Sequence, residues 1–194
     1  MKMSTLRRVF ESEDLGPIIR RFFTNTLFDS TFTILGIVVG ASFTANVNLK
    51  VIMITMATSS LALGISAGIS VYEAESLESE RKIIELERAL FMNLKGTRIE
   101  RKERATTALA ALIVFLTPLF SCAVAMLPFI FAASGILEVN LAPWVSVTLA
   151  LSILFSAGAY MGRLGRKSPW KRGLRMVCFG LLAFIIGLLL NSLV

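Results

Sequence analysis

Apolar residues in this chain are gathered into five long runs, which shorter and mostly charged stretches separate. The runs cover residues 26–45, 51–71, 105–133, 144–161 and 174–194. A helix that crosses the hydrocarbon core of a bilayer needs about 20 mostly apolar residues. The pattern therefore predicts an all-α polytopic membrane protein with five transmembrane helices. Pro118 and Pro128 fall inside the third run, so we expect that helix to be kinked or tilted.

The composition supports this class and removes several others. Of the 194 residues, 55% are hydrophobic and 17% are charged, whereas soluble domains have about 45–50% and about 25%. The chain has no histidine, which excludes histidine metal ligands and histidine general bases. With no nucleophile–base pair and no cofactor motif, we expect neither an enzyme nor a tightly bound cofactor.

The basic residues predict the orientation in the membrane. Nineteen of the 20 lysines and arginines lie before residue 26, within 72–104 or within 163–175, and Lys50 is the exception. The positive-inside rule places these three segments in the cytoplasm, and five spans then place the C-terminus outside. The net charge of +7 is interpreted as contact with anionic lipid headgroups on the cytoplasmic side rather than with nucleic acid.

The predicted organisation has four parts. Residues 1–25 form an N-terminal interfacial segment, whose residues 6–23 read as an amphipathic helix broken near Gly16 and Pro17. Residues 26–71 hold the first two spans, 72–104 a cytoplasmic acidic and basic helical linker, and 105–194 the last three spans. The membrane is the plasma membrane in a prokaryote, and a vacuolar or other organelle membrane in a eukaryote.

Asp29 is the one acidic residue inside a predicted span. An ionisable residue in the bilayer is costly and indicates a functional site. Asn25, Asp29 and Thr33 are spaced by four residues, so on a helix their oxygen-bearing side chains share one face. The alternative is an interfacial aspartate that caps the helix or meets an arginine.

Glutamates are concentrated in the linker after the second run. If the second helix continues to residue 95, their spacing of seven gives two neighbouring acidic stripes and a helix of about 67 Å, with a break at residues 95–97 before a return helix. Clustered carboxylates suit divalent cations, although a solvated helix with paired charges is the alternative. The candidates for gathering metal are Glu73, Glu75, Glu78, Glu80, Glu85, Glu87, Glu100 and Glu103.

Glycines recur at a spacing of four in three runs: Gly36 with Gly40, Gly64 with Gly68, and Gly158 with Gly162. This spacing lets helix backbones approach closely. The first two pairs fit either general packing within a bundle or an interface that the first two helices line.

Several segments resemble the vacuolar iron transporter family of plants, yeast and prokaryotes. They are FDSTFT (28–33) with GIVVGAS (36–42), ALGISAGISVY (62–72) with residues 76–80, residues 110–131 with the LPF at 127–129, and GLRM (173–176) with Gly180 and Gly187. The resemblance covers nearly the whole chain from about Ile18. It implies a five-helix subunit in a homodimer, which exports ferrous iron or manganese from the cytosol in exchange for protons.

The resemblance also implies where the ion passes. The pathway lies at the dimer interface, where an aspartate of the first helix corresponds to Asp29, and cytoplasmic glutamates gather metal. Two positions depart from the family: Ser59 stands where the transporters have glutamate, and Ala67 where they have methionine. Met56 is interpreted either as a sulfur ligand at another depth or as a packing residue. These departures leave open a metal-sensing or partner-docking protein of the same fold, and a transporter of another cargo.

Overall fold

The computed structural model describes residues 15–42, 48–164 and 168–193. They form five α-helices: α1 (Leu15–Ser42), α2 (Leu49–Leu90), α3 (Arg98–Ala133), α4 (Ala142–Leu164) and α5 (Pro169–Leu193). All five are long and apolar enough to cross a membrane. The predicted all-α class with five spanning helices is thus confirmed, and each predicted apolar run belongs to one helix. Orientation and dimerisation stay predictions.

The second helix is much longer than a bilayer requires. Its 42 residues extend over about 63 Å at 1.5 Å per residue, roughly twice the hydrocarbon thickness of about 30 Å. The charged residues of α2 all follow Val71 apart from Lys50 at its start. The length and charge of α2 fit the predicted extension beyond the hydrocarbon, which stays a prediction.

The end of α2 differs from the prediction. We expected the break at residues 95–97, but the helix ends at Leu90. Phe91 has a left-handed backbone with φ of 50°, and the Met92 N–H donates to the Glu87 carbonyl at 3.3 Å. These features form a Schellman-type C-cap, which stops the helix and satisfies a terminal carbonyl.

A short turn then starts α3. Gly96 has a φ of 77°, a conformation that glycine adopts without steric cost. The Thr97 hydroxyl accepts a hydrogen bond from the Glu100 N–H at 3.5 Å, which is the N-cap arrangement. The predicted return helix is therefore present and begins at Arg98.

The described part of α1 begins close to the predicted break. Gly16 and Pro17 lie in the first turn of a helix that continues to Ser42, and the break itself stays a prediction because it involves residues before Leu15. Proline is tolerated there because first-turn N–H groups have no partner within the helix. Residues 1–14, which include most of the basic residues of the predicted interfacial segment, lie outside the described residues, as do Arg166 and Lys167.

The chain divides into two compact units, each with its own core. One consists of the residues up to Thr24 together with Gly64–Leu116, and its core joins Val71, Ala110 and Val114. The other consists of Asn25–Leu63 and the residues from Thr117 onward. The larger core of this second unit includes Ile34, Leu35, Met56, Phe129 and Leu154.

Candidate functional site

Asp29 lies on an open face of α1. Asn25 and Asp29 are exposed and Thr33 is half-buried, whereas Ile34 and Leu35 on the other side are buried. The Asn25 side-chain amide donates to Asp29 Oδ2 at 3.3 Å, and the Thr33 hydroxyl donates to the Asp29 backbone oxygen at 2.8 Å. The three residues predicted to share a face therefore do so, with the carboxylate accessible.

The same face continues toward the C-terminal end of α1 through two glycines. Gly36 and Gly40 are exposed, and a Cβ built at either would meet no atom within 4 Å. Packing against the described residues therefore requires neither glycine. We call this surface, made by Asn25, Asp29, Thr33, Gly36 and Gly40, the Asp29 face.

The glycine pair of α2 behaves differently. A Cβ at Gly64 would lie 2.7 Å from the Phe115 carbonyl oxygen, and one at Gly68 would lie 3.1 Å from Phe115 Cβ. A Cβ at Gly64 would require the Phe115 backbone to shift, and one at Gly68 would be tightly placed, so the two glycines allow α2 to approach α3 closely. The general-packing interpretation fits this pair.

Met56 is placed inside the subunit. Its side chain is 0% exposed and belongs to the large core with Ile52 and Phe129. A side chain enclosed by apolar neighbours has no contact with an open surface, so the packing interpretation of Met56 fits the structure and the ligand interpretation does not. Ser59, one turn further along α2, is half-buried.

The glutamates of α2 spread around the helix extension. Glu73, Glu78, Glu80 and Glu85 are exposed, while Glu75 is half-buried. Burial raises the pKa of Glu75, and the nearby Glu78 raises it further, whereas Lys82 opposes both effects. The two acidic stripes, Glu73 with Glu80 and Glu87 and Glu78 with Glu85, are thus on one continuous helix, and Glu75 lies outside both stripes.

Two of the predicted metal-gathering glutamates already have structural partners. Glu87 Oε1 accepts a hydrogen bond from the Leu94 N–H at 2.8 Å. Glu100 Oε2 accepts one from the Gly96 N–H at 2.6 Å, and Glu100 Oε1 accepts one from Arg104 at 2.7 Å. The Gly96 N–H and Arg104 both lower the pKa of Glu100. These carboxylates stabilise the α2–α3 turn.

A cleft of about 560 Å³ lies between the extension of α2 and the start of α3. Its walls combine the acids Glu80, Glu87 and Glu100 with the bases Lys95 and Arg104. Within residues 15–42, 48–164 and 168–193, no three acidic, cysteine or histidine side chains come together in a way that would hold a metal ion. A single subunit therefore offers mixed charge in this cleft rather than a cage of carboxylates.

Comparison with known proteins identifies the family. The sequence profile of the VIT family matches residues 85–192, from the end of α2 to the end of α5. The chain belongs to the VIT family. It is also 26% identical over 169 residues to an uncharacterized protein of Methanocaldococcus jannaschii, a match that covers 86% of this chain and 85% of the relative.

Membership of the VIT family confirms the resemblance noted in the sequence and has coarse functional consequences. Members of the family are membrane transporters of metal or other ions rather than enzymes, and the five helices make this chain a multi-pass membrane protein. Asp29 lies outside the 85–192 segment that the VIT profile matches, so its role rests on its position in α1.

The two positions that depart from the resembling transporters differ in their surroundings. Ala67 packs against the Val71, Ala110 and Val114 core, so a methionine there would need space now filled by neighbours. Ser59 is half-buried and polar. Replacing Ser59 by glutamate would instead place a carboxylate at a half-buried position of a spanning helix, which carries the cost of a charge at membrane depth.

Sequence reasoning missed several polar residues that the structure brings into use. Thr31 and Ser121 are both fully buried, and their hydroxyl oxygens lie 3.0 Å apart; hydroxyl pairs of this kind join membrane helices. The capping roles of Thr97 and Glu100 were also missed, although the spacing Thr-x-x-Glu is a known signal for the start of a helix.

Proposed function

We propose that this VIT-family protein exports a divalent metal cation of the iron or manganese type from the cytosol, in exchange for protons. The observation that carries the proposal is Asp29, a carboxylate on an exposed face of a membrane-spanning helix. A carboxylate at membrane depth without a function would be selected against because of its cost. An exposed one is available to an ion.

Asp29 acts as the ion-binding group in this proposal. Its carboxylate binds the metal ion and then a proton. Metal export from the cytosol is thereby coupled to proton movement in the opposite direction. Asn25 and Thr33 supply further oxygen atoms on the same turn-to-turn stripe, and oxygen ligands suit hard and borderline divalent ions. The acidic residues of the α2 extension raise the local concentration of cations at the entrance.

The pathway is proposed to form when two subunits bring their Asp29 faces together. The open space at Gly36 and Gly40 supports this arrangement, because small residues allow close approach of a second helix backbone. In a homodimer, two Asp29 carboxylates would then line one passage. The N-terminus and the α2 extension are on the cytoplasmic side, as the basic residues predict.

The test is metal-driven proton flux in liposomes that contain the purified protein. We expect ferrous iron, manganese, cobalt or zinc gradients to drive proton movement in the wild type, and Asp29→Ala to lose it. Equal flux from the wild type and Asp29→Ala would overturn the assigned role of Asp29. Empty liposomes are one control. Liposomes with the variant Glu138→Gln are the other, because this change removes an acid that is remote from the Asp29 face.

A second candidate function is a membrane protein of the same fold that senses metal or docks a partner without transport. It is favoured by the residues Ser59 and Ala67, which provide neither the carboxylate nor the thioether of the resembling transporters, and by the mixed charge of the α2–α3 cleft. Ser59→Glu combined with Ala67→Met distinguishes the two. Flux that appears only in this double variant would favour the second candidate.

A transporter of a non-iron cargo is the remaining alternative. Without Met56 facing outward, the Asp29 face offers oxygen ligands and no thioether. Sulfur is the softer ligand, so a pathway lined by oxygen favours manganese-type ions over softer ones. Comparing flux across the four ions in the same liposomes tests this expectation.

A further inference from the structure

The end of the α4–α5 hairpin is the most strongly basic part of the second unit. The sequence after Glu138 contains no acidic residue, and all of its basic residues fall within 163–175. They are Arg163, Arg166, Lys167, Lys171, Arg172 and Arg175. A surface with one sign of charge and no internal counter-charge attracts an anionic partner.

The hairpin that carries this surface is tightly closed. A Cβ at Gly162 would lie 2.6 Å from Pro169 Cα, and one at Gly158 would lie 2.9 Å from the Arg172 carbonyl oxygen. A Cβ at Gly173 would meet the Phe155 ring at 2.8 Å. The backbones of α4 and α5 are therefore in close contact where the two helices meet.

One of the basic residues is used within the hairpin itself. Arg172 Nη1 donates a hydrogen bond to the Met161 carbonyl oxygen at 3.0 Å. This contact satisfies a carbonyl near the C-terminal end of α4, where the helix leaves such groups unpaired. Arg163 is exposed on the last turn of α4, and it has no hydrogen bond or ion pair among the residues that the structure describes.

Arg163 lines a cleft of about 310 Å³ at this end of the hairpin. Its other walls include Ser156, Tyr160 and Trp170. Tyr160 is 51% exposed and Trp170 is 76% exposed, and Trp170 packs edge-on against Phe155 with ring centroids 5.5 Å apart. The cleft thus places a guanidinium and two hydroxyl groups beside aromatic surface.

We propose that this cleft binds the headgroup of an anionic phospholipid. Tryptophan and tyrosine at the ends of membrane helices lie at the level of the lipid headgroups, so the ligand that reaches them is a membrane component. A guanidinium binds a phosphate through two parallel hydrogen bonds, and the hydroxyl groups of Ser156 and Tyr160 can donate to its remaining oxygens. The exposed rings contact the upper part of the acyl chains.

The choice of lipid follows from charge. A zwitterionic lipid carries a cation that balances its phosphate and that Arg163 and the adjacent basic residues would repel, whereas phosphatidylglycerol has a net negative charge and no cationic group. Basic pockets between membrane helices bind anionic headgroups on the cytoplasmic side, which is the side that the positive-inside rule assigns to this hairpin. The proposal does not depend on whether the protein transports metal.

Tryptophan fluorescence in vesicles tests the proposal directly. The chain has two tryptophans, so the variant Trp144→Phe leaves Trp170 as the reporter. Vesicles of phosphatidylcholine would contain the same fraction of either brominated phosphatidylglycerol or brominated phosphatidylcholine, since bromine quenches a nearby indole. We expect the anionic brominated lipid to quench Trp170 more strongly.

Two variants with the same change in charge separate a site from general attraction. Arg163→Gln removes the cleft guanidinium, and Arg175→Gln removes an exposed charge on α5 outside the cleft. We expect Arg163→Gln to lower the preference for the anionic lipid about fivefold or more, because it removes the guanidinium that would hydrogen-bond the phosphate in the cleft. Arg175→Gln should leave the preference nearly unchanged.

Three results would overturn the proposal. Equal quenching by the two brominated lipids would show no selectivity for the anionic headgroup. Equal losses in Arg163→Gln and Arg175→Gln would show attraction to the whole basic end rather than a site at the cleft. Removal of the preference by excess inorganic phosphate would show that a free anion, not a lipid, occupies the cleft.

Discussion

Two parts of this molecule carry acidic residues, and they use them differently. On the Asp29 face a single carboxylate lies in the open, with an amide and a hydroxyl beside it and two glycines above it. At the α2–α3 turn, Glu87 and Glu100 accept hydrogen bonds from backbone N–H groups, and Glu100 also pairs with Arg104. These two glutamates stabilise the turn.

The difference shows that the number of carboxylates in a region is a poor guide to ion binding. The glutamate-rich region has many acids, but capping and ion pairing occupy some of them, and basic residues share the cleft with the rest. Among the residues that the structure describes, the Asp29 side chain has one hydrogen bond, which it accepts from Asn25 one turn earlier. The fold of one subunit would survive the loss of Asp29, whereas the α2–α3 turn depends on its glutamates.

The largest expected effect comes from filling the Asp29 face. The double variant Gly36→Leu with Gly40→Leu should fold normally, because a Cβ at either glycine meets nothing. It should lower metal flux in liposomes about tenfold or more, which corresponds to about 1.4 kcal/mol of added barrier. Cys178→Leu, a similar change at an exposed position of α5, is the control. Unchanged flux in the double variant would remove the Asp29 face from the pathway.

The next effect is on stability, and it contrasts the two glycine pairs. Gly64→Ala places a methyl group 2.7 Å from the Phe115 carbonyl oxygen, so we expect it to lower the free energy of unfolding by about 1–3 kcal/mol. Gly36→Ala should have no such cost. Thermal unfolding of both variants in detergent measures the difference. If the two variants melted together, the assignment of Gly64 to close packing would fail.

A smaller effect is expected at the α2–α3 turn. Glu87→Ala leaves the N–H of the buried Leu94 without its acceptor, which costs about 1–2 kcal/mol. Glu87→Gln keeps an acceptor oxygen and should cost less. Glu85→Ala removes an exposed acid two residues earlier and serves as the matched control. Chemical denaturation of the three variants gives the ranking, and a larger loss in Glu85→Ala would contradict it.

The smallest expected effect is the pH dependence of the contribution that Glu75 makes to stability. Because burial raises its pKa, the folded protein binds a proton there more readily than the unfolded chain does. Its contribution to stability is therefore greatest at acidic pH and is lost as the pH rises through the folded-state pKa. Glu75→Gln should raise the melting temperature at neutral pH, with a gain that shrinks at mildly acidic pH. A gain that grew on acidification would contradict this sign.

The sequence allowed the helices to be predicted because hydrophobic length is decisive in a membrane chain. The described residues of each apolar run fall in one helix, and the third run ends at residue 133, as does α3. The break before α3 was placed too late because Phe91, not a glycine, adopts the left-handed conformation that ends α2. Nothing in the residue type of Phe91 indicates that role.

The candidate site was predictable only in part. The stripe of Asn25, Asp29 and Thr33 follows from helical spacing, and the structure keeps it on one face. The spacing of residues does not indicate what a helix face packs against. The sequence therefore does not distinguish the open pair Gly36 and Gly40 from the closely packed pair Gly64 and Gly68. Likewise a methionine in an apolar run serves equally as ligand or core, and only the burial of Met56 distinguishes the two.

One measurement tests the central claim most directly, namely that Asp29 and not the glutamate-rich region carries the ion across the membrane. The initial rate of manganese flux would be followed against manganese concentration for Asp29→Asn and for a second variant with six glutamates changed to glutamine (Glu73, Glu75, Glu78, Glu80, Glu85 and Glu87). We expect Asp29→Asn to fall to background at every concentration. The second variant should reach the wild-type maximal rate at a higher concentration. A wild-type maximal rate in Asp29→Asn would contradict the account.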